Sequence, residues 1–483
     1  MKILIASSEA VPYIKTGGLA DVAGSLLKEL RKRHEKAFLV LPLYAAIKNA
    51  YKLYATGKLI QVRMGSVTYR GRIFASSEGE NCETYFIECD ELYGRSELYG
   101  TPAGDYPDNA LRFIFFSRAV LELCLALRIK PDVIHCNDWQ TALVPLYLKT
   151  LYKDSAYFAK TSSLFTVHNL GYQGIFDVSA LRYTGLGREY FIPDSLEFYG
   201  KLNLMKAGLL YADLINTVSD TYAQEIQQAE FGFGLDGVMR KRAQDLFGIL
   251  NGINYEEWDP ARDTFIPAQY GDGDLKGKAR CRKRLCQEAA FGKETLPVAA
   301  IISRLSSQKG VDLVLNSLEV LIALGLNLII LGKGEAAYER LFKKKAEALK
   351  GRIFTHIGFE ESLAHRVYAG SDFFLMPSQY EPCGLGQLIA MKYGTVPIAR
   401  KTGGLADTIQ DYDHLTYTGT GFLFSDYSPF AMQDAVKRAL CVYTDKAHMK
   451  KLATDVMKND FSWGRSTERY LELYRRAGKR AGQ

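Results

Sequence analysis

Short, nearly continuous apolar runs recur along this chain, and each is followed by a longer segment of helical period. In the first half they are ILIAS (3–7), FLVLP (38–42), TYFIE (84–88), DVIHC (132–136), LFTVH (164–168) and LINTVS (214–219). In the second half they are VAAIIS (298–303), LNLIIL (326–331), RIFTHI (352–357), DFFLMP (372–377), VPIAR (396–400) and GFLFS (421–425). A strand buried on one face alternates, whereas a strand covered on both faces is apolar throughout. The pattern therefore predicts α/β architecture with parallel sheets. Helices fit the gaps, as in VDLVLNSLEVLIALG at 311–325, which closes on Gly325. At 483 residues the chain exceeds what one hydrophobic core serves. Between the two series, 252–296 is rich in Gly, Asp, Pro and charge and reads as a linker. The expectation is two doubly wound, Rossmann-like domains facing a cleft, with boundaries 1–250 and 251–459. A closing helix near 462–477, within 460–483, is expected to pack back on the first domain.

Composition excludes several function classes. The net charge of +7 is modest, and the densest basic stretch, RRAGKR at 475–480, reads as a solvated helix face rather than a nucleic-acid tail. No run approaches the ~18 apolar residues of a membrane span. The opening MKILIASSEA meets Glu9 too early for a signal peptide and reads as a buried first strand. Eight cysteines without a CxxC pair read as reduced thiols, which points to the cytoplasm.

The hexapeptide TGGLAD occurs twice, at 16–21 and 402–407. Paired glycines let backbone N–H groups approach an anion where a helix begins, so two such loops could hold one phosphorylated ligand. Two unrelated helix-start turns would give the same sequence. Other polar residues also follow strands, where open α/β sheets place their ligands. Lys15 precedes the first glycine pair. Asn137-Asp138-Trp139 follows VIHC, and His168-Asn169 follows LFTV. Arg304 and Lys309 follow AIIS, Glu381-Pro382-Cys383-Gly384 follows FFLMPSQY, and Lys401 precedes the second pair. Together they describe cations, bare amides and a few neutral or acidic groups, as a sugar diphosphate and its departing charge require.

KTGGLADVAGSL, VHNLGYQGIF, ISRLSSQKGVDL, PSQYEPCGLGQL, RKTGGLADTI and DFSWGRSTERYLELY resemble, in order and through both halves, the bacterial glycogen synthases and plant starch synthases. These are two-domain GT-B glycosyltransferases. The resemblance implies glucose transfer from ADP-glucose to the non-reducing end of an α-1,4-glucan, with retention of configuration and no metal or other cofactor. It implies that Lys15 reaches the diphosphate, that Gly17 and Gly18 let the backbone approach, and that Arg304 and Lys309 neutralise the leaving group. It implies that Gly403 and Gly404 present amides to phosphate and that Thr402 binds substrate beside them. It implies that Glu381 and the amides after Cys383, at Gly384 and Leu385, contact the glucose. The resemblance likewise implies that His168 sits beside the anomeric centre, with Asn169 and Asn251 lining the same site. Asp138 orients acceptor or glucose, or else caps a helix.

Several positions depart from the family pattern. Asn137 stands where a histidine is common, Asn254 where NGID has aspartate, GKGE (332–335) where GAGD is usual, and Gly386 where EPCGLTQ has threonine. Many retaining GT-B enzymes carry a second glutamate eight positions after the first; here that residue is Ile389. A double-displacement mechanism is thus unsupported, and front-face attack by the glucan 4-hydroxyl is expected. Two DxD patterns, 272–274 and 411–413, lie in polar segments and are not expected to hold a metal. GKGEAA at 332–337 fits a dinucleotide fingerprint without its confirming acid, and reads as a tight strand-to-helix turn. Two alternatives stand: another retaining GT-B enzyme using UDP-glucose or a non-glucan acceptor, and an inactive sugar-nucleotide or glucan-binding regulator. No nucleic acid or membrane partner is expected.

Overall fold

The computed structural model describes residues 1–77, 83–101 and 104–480; Cys82 lies outside them. The chain divides into two compact units. Met1–Val218, Ala223–Ile249 and the chain from Trp463 form the first, and Ser219–Tyr222 with Leu250–Ser462 the second.

The first unit is built on a nine-stranded sheet. Its order is Leu246–Gly248, Leu214–Thr217, Ser162–Val167, Val133–Asn137, Lys2–Ala6, Lys36–Pro42, Thr84–Glu88, Val67–Ala75 and Tyr54–Met64. Pairing is parallel as far as Thr84–Glu88 and antiparallel beyond it. Val133–Asn137 and Ser162–Val167 are buried at every residue, which is why they run apolar without alternation. The antiparallel pair at the edge was not expected from the sequence. Tyr54–Met64 alternates buried with exposed residues over its last half, as a one-sided strand does, and so leaves no continuous apolar run. The closing helix spans Trp463–Arg480 and buries Trp463, Tyr470, Tyr474 and Ala477 in the first unit. A buried polar chain fastens it: Tyr474 Oη lies 2.8 Å from His135 Nδ1, and Ser162 Oγ donates to the Ala477 carbonyl at 2.9 Å.

The second unit carries a six-stranded, wholly parallel sheet, ordered Ile353–Ile357, Asn327–Gly332, Val298–Ile302, Phe373–Met376, Val396–Arg400 and Phe422–Phe424. The helix after Lys309 spans Val311–Ala323, and Gly325 follows it at φ 99°. Much of the stretch expected as linker belongs to this unit instead. Lys276–Glu288 is a helix whose Cys281, Leu285 and Cys286 enter the core. Its polar composition concealed it, because one of its lysines is half-buried and turned into this unit. Lys278 Nζ donates to the carbonyls of Ala369, Ser371 and Tyr393 at 3.2, 3.0 and 2.9 Å and to Thr395 Oγ1 at 2.8 Å. Burial brings the pKa of that ammonium down to about 8. Among the described residues no helix is long and apolar enough to cross a membrane.

Candidate active site

In the first unit, Ser7 to Gly17 run from the carboxyl end of the first strand to the helix Gly18–Lys32. Glu9, buried, organises this loop. Its carboxylate accepts from Thr16 Oγ1 at 2.8 Å, from the Gly17 amide at 3.2 Å, from Tyr99 Oη at 3.0 Å and from the Thr16 amide. Burial still raises its pKa, the four donors offsetting that only in part. The anion held by this helix start is thus the chain's own glutamate, and the Gly17 amide expected to face phosphate is already engaged. Nothing in the sequence marks Glu9 for this role except its place seven residues before Thr16. Lys15 Nζ lies 2.8 Å from Asp21 Oδ1 in the first helical turn, with its side chain half exposed. Burial raises the Asp21 pKa against the pull of Lys15.

Beyond the ends of the next two strands of this sheet, Asn137, Asp138 and His168 meet. Asn137 Nδ2 donates to the Ala6 and His135 carbonyls at 3.1 and 3.4 Å, so its Oδ1 is the atom facing His168 Nε2, at 2.9 Å. A carbonyl oxygen only accepts, hence Nε2 carries the hydrogen and Nδ1 keeps its lone pair. Burial depresses the His168 pKa to about 3, so the ring is neutral. Asp138 adopts φ 54°, unusual for a residue with a side chain, and accepts from the His168 amide at 2.8 Å. Burial lifts its pKa to about 7, although the amides of His168 and Asn169 favour the charged form. Asp138 therefore joins the turn after one strand to the turn after the next; it makes no side-chain cap to the helical turn that follows it. Asn169 Oδ1 accepts from the Gly171 amide at 2.9 Å, closing its own turn.

In the second unit, glycines weld three loops together. A Cβ on Gly332 would lie 1.9 Å from the Ser303 carbonyl oxygen, and one on Gly334 would lie 2.2 Å from that of Leu305. The fingerprint-like GKGE turn is thus a clamp on either side of Arg304. Lys309 Nζ reaches Glu381 Oε2 at 2.6 Å, and Ser378 Oγ donates to the same oxygen at 2.9 Å. Gly310, at φ 69°, allows this approach, because a Cβ there would lie 1.9 Å from the Pro377 carbonyl oxygen. Arg304, exposed, contacts Gln308 Oε1 at 3.4 Å. The second TGGLAD differs in kind from the first. Cβ atoms on Gly403 and Gly404 would lie 2.0 and 2.1 Å from the carbonyl oxygens of Glu381 and Cys383. The Gly404 amide donates to Glu381 O at 3.0 Å. These glycines serve loop-to-loop contact, and the expectation that both amides are open to phosphate does not hold for Gly404. Thr402 is buried and receives the amide of Leu405 on its carbonyl at 3.0 Å. Asp407 accepts from Ser219 Oγ at 2.6 Å and the Thr221 amide at 3.1 Å, whereas its counterpart Asp21 pairs with a lysine.

The Cys383 thiol is buried and pushed up to about 12, which makes it no nucleophile at neutral pH. Asn251 is buried beside it, its Oδ1 without a hydrogen-bond partner. Gly384, at φ 74°, and Leu385 lead into the helix Gly386–Lys392, on which Ile389 is buried. The DxD acids have local work: Asp274 accepts from the Lys276 amide at 2.9 Å, and Asp411 pairs with Arg438 at 3.0 Å. One group of the right composition for a metal, Glu257, Glu361 and His365, brings ligand atoms within 4.8 Å of one another, away from these loops in sequence.

Residues 2–241 match the family model for the starch synthase catalytic domain, and 287–455 that for glycosyl transferases group 1. A glycogen synthase of Geotalea uraniireducens is 46% identical, with 100% of both chains covered. One of Thermodesulfovibrio yellowstonii is 45% identical over 98% of this chain and 97% of its own. The chain belongs to the starch and glycogen synthase family. It is accordingly a GT-B retaining glycosyltransferase and a glycogen synthase by family, with a sugar-nucleotide donor and a glucan acceptor. The catalytic domain of starch synthase IV from Arabidopsis thaliana, solved bound to ADP and acarbose, superposes with a TM-score of 0.91 at 34% identity, covering 99% of each chain. Sucrose-phosphate synthase of Thermosynechococcus elongatus, at 17% identity and a TM-score of 0.62 over 98% of each chain, shares the fold.

Proposed function

We propose that the donor is ADP-glucose and that the loops described above act on it together. The observation that carries this reading is the Lys309–Glu381–Ser378 cluster at the carboxyl end of the second sheet, with Arg304 on the adjoining loop. It offers an ammonium and a guanidinium to a leaving diphosphate and a carboxylate to sugar hydroxyls. The bound ADP of the starch synthase neighbour supports adenine over uracil. Lys15 supplies a further cation from the first unit, and with three cations a metal is not required.

The bond from C1 to the diphosphate oxygen breaks as the glucan 4-hydroxyl attacks from the same face, and its proton passes to the leaving phosphate. No enzyme carboxylate enters that step. Ile389 stands where a second one would be, and Glu381 is occupied by Lys309 and Ser378. Neutral His168 offers Nδ1 as an acceptor to a glucose hydroxyl rather than attacking carbon. The reaction is placed in the cytoplasm, which suits a chain whose seven described cysteines are all free thiols. Incubation with radiolabelled ADP-glucose or UDP-glucose and glycogen tests the reading. Label should enter polymer at least about tenfold faster from ADP-glucose, a ratio that a few adenine contacts supply. Equal rates, or incorporation from UDP-glucose alone, would refute the donor assignment; a trapped glucosyl–enzyme adduct would refute the mechanism.

A further inference from the structure

Two aromatic–glycine pairs in the first unit occupy backbone that aromatic side chains avoid. Tyr199 and Gly200 have φ of 49° and 77°; Phe233 and Gly234 have 48° and 81°. The first pair forms the tip of a hairpin between Glu197–Phe198 and Lys201–Asn203, where a two-residue loop with both φ positive normally takes Asn-Gly. Burial gives no reason for a tyrosine there, since Tyr199 is 82% exposed. Its ring meets Phe198 edge to face, with centroids 4.7 Å apart. The second pair lies against the first: a Cβ on Gly234 would come within 2.9 Å of Phe198 Cζ and 3.5 Å of Tyr199 Cε2. Two strained turns thus bring Phe198, Tyr199 and Phe233 into one partly exposed aromatic surface.

That surface is anchored to the segment bearing His168. Gln173, five residues beyond it, donates through Nε2 to the Phe233 carbonyl at 3.0 Å and accepts on Oε1 from Asn203 Nδ2 at 2.6 Å. Asn203 closes the strand behind the hairpin. A buried amide chain therefore fixes both aromatic turns relative to the residues after the Ser162–Val167 strand.

We propose that Phe198, Tyr199 and Phe233 are a stacking platform for the α-glucan acceptor. The inference rests on the reading that the acceptor is a glucan. Pyranose rings present C–H faces that pack on the electron-rich face of an aromatic ring, and a neutral polymer needs no charge there. Holding an exposed ring in left-handed backbone is explained by a ligand that the ring must meet.

Affinity electrophoresis in gels containing glycogen tests this, using the full chain, Tyr199→Asn and Tyr199→Phe. Asparagine suits the left-handed turn, so loss of folding does not confound the result. Tyr199→Asn should bind glycogen about tenfold more weakly, as removal of one stacked ring implies, with an unchanged KM for the sugar nucleotide. Tyr199→Phe should bind as the parent does. Parent-like glycogen affinity in Tyr199→Asn, while the parent still transfers glucose, overturns the platform alone. A change in sedimentation with unaltered glycogen binding overturns it too, assigning the surface to a second copy of the chain. A parent that neither binds glycogen nor transfers glucose overturns the glucan reading and the platform with it.

Discussion

At the scale of single residues, the turns after Val133–Asn137 and Ser162–Val167 bring together Asn137, Asp138 and His168, which are proposed to face the glucose. Asn137 selects the His168 tautomer, so its replacement should act through the ring. Asn137→Leu should lower kcat about tenfold, the cost of one misdirected hydrogen bond, with donor KM nearly unchanged. Asn137→Asp should raise the imidazole pKa from about 3 and move the acid limb of the kcat profile upward, which a merely structural role would not do. Asp138 gives a second test. Its folded pKa of about 7 lies above that of an unfolded aspartate, so folding takes up a proton and the associated stability is lost as pH climbs toward 7. His168 has the opposite sign: its depressed pKa means stability present above about 6.5 and lost as pH falls. Over about pH 4 to 7 the two oppose each other, so Asp138→Asn should leave the His168 contribution unopposed and make the urea midpoint rise more steeply with pH in that window. An unaltered slope in that window would show that Asp138 does not titrate there.

At the scale of elements, the repeated TGGLAD shows how one peptide serves two packings. A Cβ at Gly17 meets nothing within 4 Å, and the residue's φ of −156° is ordinary extended backbone. Gly17→Ala should leave stability within about 0.5 kcal/mol of the parent. Gly404 faces the Cys383 carbonyl oxygen at 2.1 Å from a would-be Cβ. Gly404→Ala must push the Glu381–Cys383 loop aside and should cost about 1–3 kcal/mol, read by denaturant unfolding, with glucosyl transfer falling as Glu381 moves. The sequence exposed both loops, because glycine pairs before helices are conspicuous. It could not say which glycine faces solvent and which faces another backbone, since that depends on a partner loop about twenty residues away. Glu9 was illegible for the same reason. A lone glutamate after a strand acquires meaning only when the chain folds back over it.

At the scale of the whole molecule, all twelve apolar runs became strands that pair in parallel within the two sheets, because burial on both faces leaves a local mark. The antiparallel edge Tyr54–Ala75 and the helix Lys276–Glu288 were missed, one through alternation and the other through a half-buried lysine and small thiols among charged residues. The candidate site was legible as a set of strand-end polar residues but not as ion pairs, and the pairing of Lys309 with Glu381 emerged only in three dimensions. Lys15 and Arg304 are each proposed to bind the diphosphate of the donor. Calorimetric titration of ADP into the parent, Lys15→Ala and Arg304→Ala measures that binding. Each variant should bind ADP at least about tenfold more weakly, the loss expected when one charged contact to phosphate is removed, while glycogen affinity stays the same. Parent-like ADP affinity in either variant would contradict the account.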